Sequence, residues 1–348
     1  MPQLDPTLAD AIRRMPKVEL HVHLEGAIQP ETLLRLARRN AVELPAQDID
    51  GLRRWYTFTD FAHFVDIYRI TSSCLRSPED IELIAREFLA GQAAQNIRYS
   101  EVTYTAHSHY RRGLAFADQM EALARARQWA QETLGVSMGL VIDISRDQPA
   151  ETGVTVAEWV IRGRETARWG IVALGLGGPE LDNPPEKFQS AFDLARRAGV
   201  PCVPHAGETQ GPASIWGALD RLHAVRIGHG VRCLEDPALL AELRARQIPL
   251  EVCPTSNICL KVADDFQRHP LPRLLAEGLF VTLNSDDPAM FNTSLTEEFL
   301  RSAAAFSLGA DQIQALTRQA ALASLLPPEQ KAALLAEIDA FWQAYTRD

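Results

Sequence analysis

No apolar stretch in the 348 residues is long enough to cross a bilayer, which takes about 20 consecutive apolar residues. The first residues, Met1 to Met15, carry acidic and polar side chains where a secretion signal would need an apolar run. A cytoplasmic location without membrane association is the expectation. Cysteine is scarce: Cys74, Cys202, Cys233, Cys253 and Cys259 form an odd set with no C-x-x-C pair, which argues against a disulfide framework or a thiolate zinc cluster. Positive charge is in deficit, with 35 Lys and Arg against 45 Asp and Glu and a formal net charge of -10. Such a surface repels a phosphate backbone, and no basic tract offsets it, so a nucleic-acid partner is not expected. Arg38-Arg39 and Arg111-Arg112 read as solvated surface. There is no internal repeat, low-complexity tract or Pro/Gly-rich linker, and residues 1–348 read as a single domain.

What is present is the composition of an ordinary globular protein, 46% hydrophobic and 23% charged. Short Val-, Ile- and Leu-rich runs alternate with longer stretches of helical spacing, the signature of a parallel sheet with crossover helices. The expected strands are Val18 to Val22, Ile97 to Tyr104, Val136 to Ile142, Ile171 to Leu176, Pro201 to Pro204, Val225 to Ile227, Leu250 to Cys253 and Phe280 to Leu283. Expected helices include Phe116 to Leu134, Val156 to Trp169, Pro185 to Ala198, Ser214 to His223 and Pro237 to Arg246. Eight such units predict an α/β fold, a (β/α)₈ TIM barrel with extra helices between strands one and two and at the carboxyl terminus. The segment from Ala41 to Phe88 is too long for one crossover and reads as an insertion capping the barrel mouth. Its run from Phe58 to Tyr68 reads as a helix with an aromatic face, and Phe61 is a candidate substrate contact. Leu295 to Tyr345 is expected to be helical and to pack outside the barrel.

Potential ligands sit where strands become loops. His21 and His23 close strand one, His205 strand five and His229 strand six, while Asp286 and Asp287 follow strand eight. In this fold the carboxyl ends of the strands converge on one face, so residues distant in sequence can surround one ion. Alternation with period two sends His21 and His23 to the same side. Three imidazoles and a carboxylate suit zinc in a site that keeps a position open for water, although imidazole accommodates other transition metals too.

The segments His21-Val22-His23-Leu24-Glu25-Gly26-Ala27, His205-Ala206-Gly207-Glu208, Arg226-Ile227-Gly228-His229-Gly230, Cys253-Pro254-Thr255-Ser256-Asn257 and Ser285-Asp286-Asp287-Pro288 together resemble the motif series of the adenosine/adenine deaminase family. The resemblance spans most of the chain. It implies one divalent metal ion, zinc by first choice, held by His21, His23, His205 and Asp286. It implies that Glu208, His229 and Asp287 act on substrate and water, with Glu208 protonating the purine ring and His229 taking a proton from the attacking water. Gly178, in Gly175-Leu176-Gly177-Gly178-Pro179-Glu180, matches the glycine whose N–H meets the purine, and Glu25 matches a position that contacts the substrate. Departures bear on the substrate. Pro179 stands where adenosine-specific members have an acidic residue. Glu25 replaces their usual Asp, whereas Gly178, Gly228 and Thr255 look more like the nucleoside group. Adenosine or an adenosine-like purine nucleoside is the expected substrate, with aminodeoxyfutalosine or adenine as alternatives.

His107-x-His109 forms a second H-x-H with no third ligand nearby and reads as a loop element, with substrate contact a minor alternative for His109 and for Arg146. The other zinc-deaminase architecture requires H-x-E and then P-C-x-x-C; His23-Leu24-Glu25 meets the first, but Pro201-Cys202-Val203-Pro204 breaks the second. A barrel that binds purines without catalysis has no use for Glu208 and His229 beside metal ligands. A homo-oligomer is left open.

Overall fold

The aliphatic runs become eight strands in the computed structural model, which describes residues 4–345. They are β1 (Lys17–His23), β2 (Ile97–Tyr104), β3 (Ser137–Ser145), β4 (Ile171–Gly177), β5 (Cys202–Ala206), β6 (Ile227–His229), β7 (Leu250–Val252) and β8 (Val281–Leu283). All neighbours pair in parallel and in chain order from β1 to β8. The barrel closes in an unusual way. The Asn284 side-chain oxygen accepts from the N–H groups of Leu20 and His21 at 2.9 and 3.1 Å, standing in for a ladder. Beyond it, His23 N–H donates to the Asp286 carbonyl at 2.8 Å and Asp286 N–H to the His21 carbonyl at 3.1 Å. The residues that seal the barrel are therefore the ones that carry its candidate ligands.

Helix boundaries follow caps rather than apolar spacing. Phe116–Leu134 ends on Gly135 in the left-handed region, and Pro237–Arg246 starts where the Asp236 carboxylate accepts from Ala238 and Leu239 N–H. The helix expected from Val156 spans Ala150–Arg164, because it begins directly after Pro149 while its apolar pattern becomes regular only a turn later. The expected Ser214 to His223 helix is Pro212–Asp220, and Pro185 to Ala198 splits into a 3₁₀ turn and Gln189–Arg197. The sixth strand lies two residues later than expected, since Val225 faces solvent.

The segment between β1 and β2 folds as helices Pro30–Arg39, Ile49–Trp55, Phe61–Ser73 and Pro78–Ala94. Asp60 caps the third, so the aromatic helix starts at Phe61 rather than Phe58. Phe58 instead meets Phe64 and Phe291 edge-on, at 5.4 and 5.6 Å between ring centroids. The fourth, opened by a capping box between Ser77 and Asp80, packs on Phe116–Leu134 as a regular crossover helix. The added material thus ends near Ser77, short of the expected Phe88. Helices Leu295–Phe306, Ala310–Ala323 and Pro328–Tyr345 complete the chain, the middle one lying against β1 and β8. The extreme ends of the expected domain, 1–3 and 346–348, lie outside the described residues. All five cysteines are free, four of them buried. Among the described residues no helix is long and apolar enough to cross a membrane.

The opposite end of the barrel is floored by charge. Arg226, 1% exposed, donates from Nε to Glu251 and from Nη2 to Glu101, both at 2.6 Å, and from Nη1 to the Ala323 carbonyl at 3.0 Å. Glu101 in turn accepts from Leu325 N–H at 2.5 Å, tying the C-terminal helices to the barrel. Removing the cation leaves two buried carboxylates unpaired, a change that costs about 3–5 kcal/mol. Arg226→Met is expected to lower the urea-unfolding free energy by about that amount. A loss below about 1 kcal/mol, the range of exposed pairs, would show that the floor does not hold the barrel together.

Candidate active site

Strand ends bring the histidines together. His21 and His23 lie two residues apart on β1, His205 on β5 and His229 at the end of β6. The imidazoles of His21, His205 and His229 lie with ring centroids 4.4–5.3 Å apart. Asp286 and His229 are held at φ of +63° and +64°, a strained backbone for residues with a Cβ, and both side chains face the same point. The Asp286 Oδ1 atom stands 3.3 Å from Nε2 of His21 and 3.3 Å from Nε2 of His23, and the His23 and His205 Nε2 atoms face each other at 3.1 Å.

Which nitrogens carry protons can be argued from their other partners. The His21 Nδ1 lies 3.0 Å from Glu251 Oε2. Glu251 is ionised, because Arg226 outweighs the effect of its burial, and an ionised carboxylate can only accept. His21 therefore carries a hydrogen on Nδ1, and its buried Nε2 stands against the Asp286 carboxylate. Burial favours the neutral ring, yet Asp286 and Glu251 together hold the His21 pKa up to about 9. The site thus attracts positive charge at its centre. Burial and the neighbouring imidazoles push His205 well below its ordinary value, so its nitrogens are free to coordinate. Asp286 stays ionised despite burial, through His21 and His23, and its Oδ2 accepts from Ser256 Oγ at 2.6 Å. Imidazole nitrogens and a carboxylate that converge on one buried point and attract positive charge have the donor chemistry that suits a zinc-type cation.

The other polar groups surround this point. His229 Nε2 lies 3.7 Å from Glu208 Oε2 and 4.0 Å from Asp286 Oδ2, and burial with His21 lowers its pKa to about 4. Glu208 is pushed well above the carboxylate range by burial and then by Asp286 and Glu180. Burial and Asp286 do the same to Asp287, whose Oδ1 has no partner. Gly26 makes room for that carboxylate: a Cβ there would fall 1.8 Å from Asp287 Oδ1. Glu208, His229, Asp286 and Asp287 line one cavity of about 410 Å³, together with Gly178 and with Phe61, Phe64 and Tyr68 of the cap. Gly178, at φ +91°, turns the chain at the end of β4.

Not every candidate from the sequence reaches the cavity. Glu25 is fully buried, and its carboxylate accepts from Tyr68 Oη at 3.2 Å and Thr105 N–H at 3.2 Å and pairs with His109 Nε2 at 2.9 Å, so it anchors the cap helix instead of facing a ligand. His109 is buried in that network and stacks on Tyr104, and His107 lies against Trp159, so the two rings of the second H-x-H have separate surroundings. Arg146 is buried and donates to the carbonyls of Asn183 and His205, supporting the loops from beneath.

Several participants escaped the sequence reading. Glu251 and Ser256 orient His21 and Asp286; the first is a lone acid in an apolar strand, the second sits in a quoted motif without a role. Asp143, at the end of β3, lines the cavity with its pKa raised to about 6 by burial. Glu180 accepts from the N–H groups of Gly207, Glu208, Thr209 and Gln210 and from Ser214 Oγ, shaping the turn that carries Glu208. Partners that orient ligands typically change metal affinity by about 10–100-fold. Glu251→Gln is expected to weaken zinc binding within that range in competition against a chromogenic chelator; unchanged affinity would detach Glu251 from the ligand set.

Comparison with known proteins places this arrangement. The adenosine deaminase family model matches residues 16–341. An aminodeoxyfutalosine deaminase of Streptomyces avermitilis is 40% identical over 337 residues, which cover 96% of this chain and 93% of that protein. An adenine deaminase of Cupriavidus necator is 40% identical over 342 residues, covering 98% and 96%. The crystal structure of an amidohydrolase from Burkholderia ambifaria with bound zinc superposes with a TM-score of 0.91 at 26% identity, covering 99% of this chain and 96% of that one. With a family match over nearly its whole length and 40% identity to relatives covered almost end to end, the chain belongs to the adenosine deaminase family.

Proposed function

We propose that this protein hydrolyses the 6-amino group of a purine nucleoside and releases ammonia. One observation carries the reading: Glu208, His229 and Asp287 line the same cavity as His23, His205 and Asp286, and the ligating atoms of His21, His205, His229 and Asp286 lie within 4.8 Å of one another. His21, His23, His205 and Asp286 would hold a single divalent cation, zinc by the chemistry of the donors, with Asp287 lying alongside. When bound, such an ion makes water a competent nucleophile near neutral pH.

The chain's own groups do the rest. Glu208, protonated because burial and neighbouring anions raise its pKa, gives its proton to the ring nitrogen beside the carbon under attack. His229, neutral because burial lowers its pKa, takes a proton from the attacking water. The water oxygen bonds to the ring carbon, leaving a hydroxyl and an amino group on it. The proton held by His229 passes to the amino nitrogen, the carbon–nitrogen bond breaks, and ammonia departs. The hydroxyl proton returns to Glu208 as the carbonyl forms. Asp287 accepts a hydrogen bond from the attacking hydroxyl, and the Gly178 N–H holds the ring. Phe61, Phe64 and Tyr68 cover the site and exclude water. Free adenine is the second reading, favoured by the similarity to an adenine deaminase.

Glu208→Gln keeps the shape and loses the acid. Turnover of 6-aminopurines should fall by about 10²–10⁴-fold while the metal content stays at the wild-type level. Ammonia release by a coupled assay, beside elemental analysis, reads both quantities. A variant with near-normal rates would remove Glu208 from the chemistry, and a wild-type enzyme that resists chelation would remove the ion.

A further inference from the structure

Two carboxylate oxygens on the cavity wall are buried without a hydrogen-bond partner among the described residues: Oδ1 of Asp287 and Oδ1 of Asp143. The first belongs with the reacting groups. The second, on β3, has no part in the chemistry above, although Asp143 is only 3% exposed. A neighbouring acid on the same wall, Asp147, is satisfied within the protein: it pairs with Arg69 at 2.6 Å and accepts from Ser145 Oγ at 2.6 Å.

Glycines fix where the Asp143 carboxylate stands. Asp143 pairs with Gly175 in the β3–β4 ladder, and a Cβ on Gly177 would fall 2.8 Å from Asp143 Oδ2. The same Cβ would lie 3.7 Å from His205 Cε1. The carboxylate therefore rests against β4 one residue before Gly178, on the side of the metal-binding histidines. Burial raises its pKa to about 6, against the pull of His23 and the Thr105 hydroxyl, so at pH 7 it is mostly ionised and can only accept. A carboxylate held out of water without a donor is costly, and a ligand that supplies the donor removes that cost.

We propose that Asp143 is a specificity-determining residue whose free oxygen accepts a hydrogen bond from the donor that the substrate carries at purine N9. The 6-amino group is consumed by the reaction, and the remaining donor of a 6-aminopurine sits at N9. In a nucleoside it is a hydroxyl of the sugar attached there; in free adenine it is the N9–H itself. This inference rests on the deaminase reading and deepens it, because it ties the choice between nucleoside and base to one side chain.

The kcat/KM of zinc-loaded enzyme is measured for adenosine, 2′-deoxyadenosine, 3′-deoxyadenosine, adenine and 9-methyladenine. Deleting the donor should cost about tenfold or more in one pair, adenosine against a deoxynucleoside or adenine against 9-methyladenine, and that pair identifies the donor. Asp143→Ala should bring the ratio of that pair close to unity. The isosteric Asp143→Asn, which serves if the alanine variant does not fold, should shrink the ratio by about fivefold. Equal rates within every pair, a ratio that survives the substitution, or a uniform loss on all substrates would overturn the role and leave the deaminase reading intact. No turnover of any 6-aminopurine would instead overturn that reading. Asp143 is then judged by calorimetric titration of wild type and Asp143→Asn with inosine, its 2′- and 3′-deoxy forms, hypoxanthine and 9-methylhypoxanthine, where affinities indifferent to the donor or to the substitution count against it.

Discussion

Imidazole nitrogens and a carboxylate crowded around one buried point govern this molecule. His21 Nε2, His23 Nε2, His205 Nε2 and Asp286 Oδ1 crowd one buried point, and such an arrangement is favourable only around positive charge. Much of the barrel serves to keep these groups there. Arg226 holds Glu251 ionised, Glu251 fixes the hydrogen of His21 on Nδ1, and Ser256 steadies Asp286. The chain of contacts runs from the floor of the barrel to the centre of its mouth, so fold stability and site chemistry share the same buried charges.

The same field separates the roles of the surrounding acids. Asp286 stays ionised between two imidazoles, whereas Glu208 and Asp287, beside that anion and out of water, favour their protonated forms. A carboxyl kept neutral near pH 7 is what a proton donor to a purine ring requires. Glu180 adds to this while acting as the template for the turn that carries Glu208.

Much of this was legible in the sequence, and for physical reasons. A strand period of two makes His21 and His23 neighbours, and an α/β barrel gathers strand ends, so His205, His229 and Asp286 could be brought to one place before any coordinates. Helix limits were less legible because caps such as Pro149 and Asp60 set them, and the aromatic helix and the end of the inserted segment moved accordingly. Contacts between distant segments were not legible at all. Nothing local distinguishes Glu251 or Glu180 from other acids, and Glu25 could not be known to spend its carboxylate on Tyr68 and His109.

The most direct measurement is anomalous diffraction at the zinc edge from crystals of the metal-replete protein. A single peak bonded to Nε2 of His21, His23 and His205 and to the Asp286 carboxylate, at about 2.0–2.2 Å, is the predicted result. No peak there, or an ion bound away from Glu208 and His229, would contradict the account.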